Sequence, residues 1–533
     1  MKPMKPKVKT IIACTSAALL ALGAAGCNST SSSATPQPTK QPEAKSSEPA
    51  PAATPAKVDK VTYNIFRSFN APEYPADGGP AKPIVLDAMD KAGLKGIDYK
   101  VTLASGDEYY QKLNLLAASG ELPDMFNVNI PTMSRFADEG LIIPLDDLIK
   151  DMPNIQKVIK QEDIETLRYK GKLYALPVGF RPEAFNGPNI SGFVIRKDWL
   201  DSLGLKEPKT LDELHDVLKA FTFNDPDKNG KKDTYGLSTT KMKSNTTEPP
   251  NFSAIFGSYG IIPTFWHERG GVLKQGMVLP ETKQVLQLLQ NWFKEGIIDP
   301  DFPIMETKQL QEKVINSKVG VFEGSAFDGD PKQALNSSLL KANPSAKLLV
   351  IEPPTGPNGK KGWAESSPSY NDMRAISSKV KDPKRLLQMV DWAVGPGFNL
   401  VTYGEEGKDF TFDKDKNKID MKVESYSELY KKGFSNPIRF LQVVDRRWMA
   451  DDAIKGMVLS NDPKNLIKNE FWKTTQAMID HPDLITLWNE YYAKIITGAW
   501  SVDKFDEFVQ KYYQQGGSDI EKQVNDEWKK TKK

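Results

Sequence analysis

Cysteine is almost absent: the 533 residues contain two, Cys14 and Cys27. So few thiols exclude a disulfide framework, an iron–sulfur cluster, Cys-ligated zinc and thiol catalysis. Histidine is nearly as scarce, and its three positions, His215, His267 and His481, are too scattered to suggest a metal site. An excess of one charge is also missing, with 71 basic against 69 acidic residues. A near-neutral body sets up no field for nucleic acid, so none is expected as a partner. The G-x-S-x-G elbow, the H-E-x-x-H zinc motif and the phosphate-binding loop do not occur.

What is present begins with an export leader. Lys2, Lys5, Lys7 and Lys9 precede a short apolar run, 11–22, and Ala24, Ala25 and Gly26 lead into Cys27. That run is well short of the roughly 20 residues that span a bilayer, which marks a removable signal. The Ala-Ala-Gly-Cys junction resembles the lipobox of bacterial lipoproteins, with Ala24 where a leucine is usual. Residues 1–26 are therefore expected to be a lipoprotein signal peptide and Cys27 the diacylated site. The protein then sits on the extracellular face of the cell membrane, held by its lipid. Without the leader's four lysines, basic residues number 67 against 69 acidic. Segment 27–57 is nearly all Ser, Thr, Pro, Ala and charge. It has too little apolar surface to fold and reads as a disordered tether, spanning about 30 Å if flexible.

From residue 58 onward the pattern is globular. VTYNIFRS, 61–68, reads as a strand, and helix, strand, helix and short strand follow near 84–92, 98–104, 107–118 and 124–128. This βαβαβ alternation predicts an α/β fold with a parallel sheet. Phe193, Val194 and Ile195 form another strand, and Thr210 with Glu213 caps a helix carrying Leu211, Leu214, Val217, Leu218 and Phe221 on one face. Helices are expected from Thr282, with Trp292 and Phe293 on the core face, and from Pro383, while the chain beyond Met421 looks mostly helical.

The stretch DPDKNGKKDTYG, 225–236, has calcium-loop spacing. Asp225, Asp227, Asn229 and Asp233 occupy positions 1, 3, 5 and 9, Gly230 stands at the sharp turn, and the Lys231 carbonyl falls at position 7. Such oxygens suit a hard cation, and Ca²⁺ is the expected cofactor. Gly236 replaces the bidentate Glu of position 12, which favours a fixed structural loop over an opening switch. The remaining oxygens are left to Thr234, another part of the chain, or water.

A set of phrases in fixed order carries a family resemblance: GELPDMF at Gly120, GKLYALP at Gly171, FVIRKDWLDSLGL at Phe193, LPETKQVLQLLQNWFKEGIIDPDF at Leu279 and GPNGKKG at Gly356. With these the chain resembles the large extracellular solute-binding lipoproteins of carbohydrate ABC importers in Gram-positive bacteria. The resemblance implies a two-lobe, type II-like binding-protein fold, with a multi-strand hinge and a ligand cleft between the lobes. Lobe 1 is expected over 58–180 and again over 351–420, and lobe 2 over 190–350 with much of the helical part 421–533. Crossings are placed near 174–192 and 353–363. The resemblance also implies a monomer that captures an oligosaccharide, closes on it and hands it to the membrane permease, without catalysis. A lipoprotein sensing ligand for a membrane receptor, or a glycoside hydrolase, are the alternatives.

Aromatic faces suit the C–H faces of sugars, and amides and guanidinium groups suit hydroxyls or carboxylates. Trp266 lies in a loop-like segment, Trp363 and Tyr370 follow the second presumed crossing, and Phe327 follows a strand. Arg67, Asn127 and Asn129 stand just past strand ends, where ligands of open α/β sheets bind. These seven are the candidate ligand contacts. A cleft-facing Arg67 would imply a uronate-bearing sugar through bidentate pairing.

Overall fold

In the computed structural model the described residues are 59–531, apart from 105, 160, 178–188, 190, 243–250, 366–372, 442–444 and some side chains near 105 and 160. Cys27 and Tyr370 lie outside them. Val61–Ser68 pairs in parallel with Ile97–Ala104 on one side and with Met125–Val128 on the other. Helices Ala81–Lys91 and Gly106–Ser119 make the crossovers. The predicted βαβαβ unit is therefore present, and two further strands extend it through antiparallel pairings. Met373–Ile376 joins Met125–Val128 and then Ala175–Pro177, giving a five-stranded sheet.

A second sheet has four strands in the order Leu348–Ile351, Ser191–Arg196, Val319–Ser325, Tyr235–Ser238. Alternate side chains of a strand point to opposite faces, so Phe193 and Ile195 enter one hydrophobic cluster while Val194 enters another. The helix Leu211–Phe223 begins at Thr210 with the expected capping box, its hydroxyl accepting the Glu213 N–H. Its Leu211, Leu214, Val217, Leu218 and Phe221 are all buried.

Two large cores, with two smaller clusters beside the second, divide the described residues into two lobes. The first gathers residues from Tyr63 to Leu176 and again from Met373 to Leu441. The second gathers residues from Phe193 to Ala364 and from Phe471 to Trp528. The return to the first lobe falls later than the sequence pattern placed it. Ile351, Trp363 and Ala364 remain in the second core, because strand Leu348–Ile351 pairs with Ser191–Arg196 and Trp363–Ala364 pairs with Leu466–Ile467. The first lobe also keeps the chain beyond 420, where Met421, Tyr426, Leu429 and Leu441 are buried in its core. Within it, Asp391 ties the later segment to the earlier one by accepting the backbone N–H groups of Asn154 and Ile155, both at 2.8 Å.

Candidate ligand cleft at the lobe crossings

Between the cores the chain crosses three times: between Pro177 and Asn189, between Glu365 and Met373, and between Leu441 and Met449. On the lobe 2 side the end of the first crossing is tied to the end of the helix Asp451–Ser460, which follows the third. Asn189 N–H donates to Asn461 Oδ1 at 2.8 Å, its amide donates to Ser460 O at 2.9 Å, and Asn461 returns a bond to Asn189 O at 2.8 Å. On the lobe 1 side Met373 pairs with Pro177, and Arg374 Nε donates to Phe440 O at 3.1 Å.

The third crossing has its own anchors. Tyr403 donates to Asp445 at 2.6 Å, and Arg447 clamps the same carboxylate through Nε and Nη2 at 2.8 and 2.6 Å. Burial works to raise the Asp445 carboxyl, but the hydrogen bonds from Arg447 and Tyr403 together hold it below its usual range. Immediately beyond, Trp448 packs on both the first core and the small cluster of Ala326, Met449, Ala453 and Met457. Its indole is edge-on to Tyr426, centroids 4.8 Å apart, and parallel to Phe327 at 6.4 Å.

Among the candidate ligand contacts in the described residues, Phe327 is thus the one found beside a crossing with a half-buried ring. Arg67 is fully enclosed in lobe 1, where its Nη1 donates to the carbonyls of Asn436 and Pro437. A guanidinium used in this way braces the 435–438 turn. Asn127 is buried, and its backbone is bracketed by the Tyr109 hydroxyl. Asn129 caps the helix Ile130–Asp138, its side chain accepting the Thr132 N–H at 3.0 Å. Trp266 is in a strand, Trp266–Arg269, and its ring belongs to the second core. Trp363 is likewise in that core, with Nε1 donating to Ser460 O at 3.2 Å. A sequence window shows an aromatic between turn residues and cannot show which core receives it.

Two carboxyls at the end of strand Val319–Ser325 have raised pKa values. Burial pushes Glu323 up to about 7 and Asp328 up to about 6. Perturbed carboxyls near a cleft are functional candidates, yet both are engaged by backbone. Glu323 accepts the N–H groups of Phe252 and Ala254 at 2.8 and 3.2 Å, holding a turn in which Phe252 has φ +62°. Asp328 accepts the Ser325 N–H at 2.8 Å.

In the loop 225–236, Asp225 accepts the N–H groups of Asn229 and Gly230, each at 3.0 Å, which closes the turn. The Asn229 amide reaches Asp227 at 2.8 Å and Asp233 at 3.2 Å, and Lys318 pairs with Asp233. The Thr234 hydroxyl donates to Phe221 O at 2.8 Å and is buried. At Gly236 a Cβ would stand 2.4 Å from Leu218 O. Position 12 is glycine because the strand leaving the loop presses directly on the preceding helix.

Two α/β lobes joined by chain crossings are an architecture suited to binding a ligand between lobes. The chain belongs to the bacterial extracellular solute-binding proteins, whose family model matches residues 76–399. It is 30% identical over 470 residues to the polygalacturonan/rhamnogalacturonan-binding protein YtcQ of Bacillus subtilis, covering 85% of this chain and 89% of that one. It is 27% identical over 390 residues to the fructooligosaccharide ABC transporter substrate-binding protein FusA of Streptococcus pneumoniae, covering 67% and 68%. Among solved structures, the alginate-binding protein AlgQ2 without calcium ion superposes with a TM-score of 0.68 at 22% identity, covering 89% of this chain and 99% of that one. At that identity the likeness is one of fold.

Proposed function

We propose that this protein is the extracellular binding component of an ABC importer, capturing an oligosaccharide between its lobes and delivering it to the permease without chemical change. The observation that carries the reading is the pair of large cores joined at the crossings, in a chain 30% identical to a polygalacturonan/rhamnogalacturonan-binding protein over most of its length. Pectin-type oligosaccharides are accordingly the first ligands to test. Among the described residues no helix is long and apolar enough to cross a membrane, and attachment is assigned to the lipid on Cys27. In calorimetry against oligogalacturonates and neutral oligosaccharides, reversible binding with the sugar recovered intact is the expected result. A cleaved product would transfer the protein to the hydrolases.

Calcium is part of the same proposal. Asp227 Oδ1 is buried and has no hydrogen-bond partner, and burial, with Asp225 beside it, raises the Asp227 carboxyl above its usual range. A hard cation would meet that oxygen and relieve the carboxylate pair. Among the described residues no three Asp, Glu, His or Cys side chains converge as a cluster. Ion binding would therefore draw Asp225, Asp227 and Asp233 together, with the Asn229 side-chain oxygen, the Lys231 carbonyl and water completing the set. An ion bound only by the folded state stabilises it by about 2.7 kcal/mol at a hundredfold excess over Kd. A chelator is expected to lower the melting temperature of the wild type and to leave the double variant Asp225→Ala, Asp227→Ala unaffected. Equal chelator responses in both proteins would remove calcium from this loop.

A further inference from the structure

Around Trp448 the lobes are held to each other by side chains as well as by the crossing chain. Asp330 of lobe 2 is buried, and its Oδ2 accepts two donors at 3.2 Å: the Tyr426 hydroxyl of lobe 1 and the Ala450 N–H just past the crossing. Its Oδ1 takes the Lys332 N–H at 2.9 Å, which fixes the turn. From that turn the Lys332 carbonyl accepts the Tyr426 N–H at 3.0 Å, and Lys332 Nζ donates to Val423 O at 2.7 Å. The chain before Trp448 is pinned to lobe 1 through Asp445 and Arg447, and the chain after it to lobe 2 through Ala450 and Met449. Trp448 touches both sides.

We infer that Asp330, Lys332 and Tyr426, gathered about Trp448, form the fulcrum on which the lobes turn, and that Tyr426 and Lys332 are positioning residues for ligand capture. Three hydrogen bonds link residues 330–332 with 423–426 without any intervening strand of chain. A lobe rotation that kept them would turn about this point and spend the third crossing's dihedral change at Trp448, the one residue between its two sets of anchors. The Tyr426 phenol remains a donor throughout the ordinary pH range, because burial, aided by the neighbouring Asp330 carboxylate, pushes its titration upward. Removing the hydroxyl takes one link from the fulcrum while the aromatic packing on Trp448 remains. The unliganded lobes then sample more orientations, and closure on ligand has more freedom to remove.

The test reads geometry and binding separately. Cys14 and Cys27 are replaced by serine, and spin labels are attached through Leu115→Cys in lobe 1 and Ile304→Cys in lobe 2, at positions 71% and 75% exposed. Dipolar distance distributions are then compared for the parent, Tyr426→Phe and Lys332→Met. The expected result is a broadened or shifted unliganded distribution in the variants. Oligogalacturonate binding is expected to weaken about fivefold or more, the lower end of typical coupling between linked equilibria. Distributions and affinities equal to the parent in both variants, even with a lowered melting temperature, would reduce the node to ordinary packing and overturn the inference. The affinity arm rests on the proposed function. A parent that binds no oligosaccharide would refute that function, while the unliganded distances would still decide the fulcrum.

Discussion

Replacing Arg67 with alanine is expected to lower stability by about 3–5 kcal/mol and to leave the ligand affinity of the surviving folded protein close to wild type. The side chain is fully buried, and its Nη1 donates to the Asn436 and Pro437 carbonyls across a sequence separation of 370 residues for the latter. Those acceptors belong to a turn in which Ser435 has φ +69°, a conformation that side chains other than glycine adopt only when held. Truncation would leave two carbonyls without their donor, open a cavity the size of the lost side chain, and release the turn that leads to Phe440 and the third crossing. Chemical denaturation with calorimetry on the same samples checks the split. A protein that melts normally and has lost its sugar would put Arg67 in the cleft and support a uronate pairing.

Gly257→Ala is expected to cost about 3 kcal/mol or to prevent folding of lobe 2, because the added methyl has nowhere to go. A Cβ at Gly257 would lie 1.8 Å from Gly362 O and 2.4 Å from its carbonyl carbon. Both neighbours are backbone, so no rotamer change relieves the clash. The same surface receives Gly356, whose Cβ would stand 2.0 Å from Ser258 O. The phrase GPNGKKG, one of those carrying the family resemblance, thus lies against the end of helix Ser253–Gly257 just before the strand Trp363–Ala364. Far-ultraviolet circular dichroism and a denaturation curve would show the loss. A melting temperature within a degree of wild type would mean that the close approach is not maintained in solution.

Much of the site's framework was legible in the chain because it is written in short-range patterns. The strand 61–68, the capped helix after Thr210, the glycine at the sharp turn of the 225–236 loop and the helix from Pro383 each need only a few neighbours to be recognised. The roles of single aromatic and basic residues were not legible. Trp266 and Trp363 look loop-borne in a window and are core residues in space, while Trp448, in an unremarkable RRWM stretch, packs on both lobes. The raised Glu323 carboxyl has no signature at all, since its environment is a turn some 70 residues away.

By itself the sequence determined the class of protein: its α/β elements by periodicity, its loop of alternating acidic residues by spacing, and its family by ordered phrases. Tertiary structure alone decided where the chain leaves one core for the other, which cations are spent on backbone carbonyls, and which groups meet at the third crossing. The physical reason is distance along the chain. Tyr426 and Ala450 reach Asp330 across 96 and 120 residues, and contacts of that range depend on how whole layers stack, which no local pattern encodes.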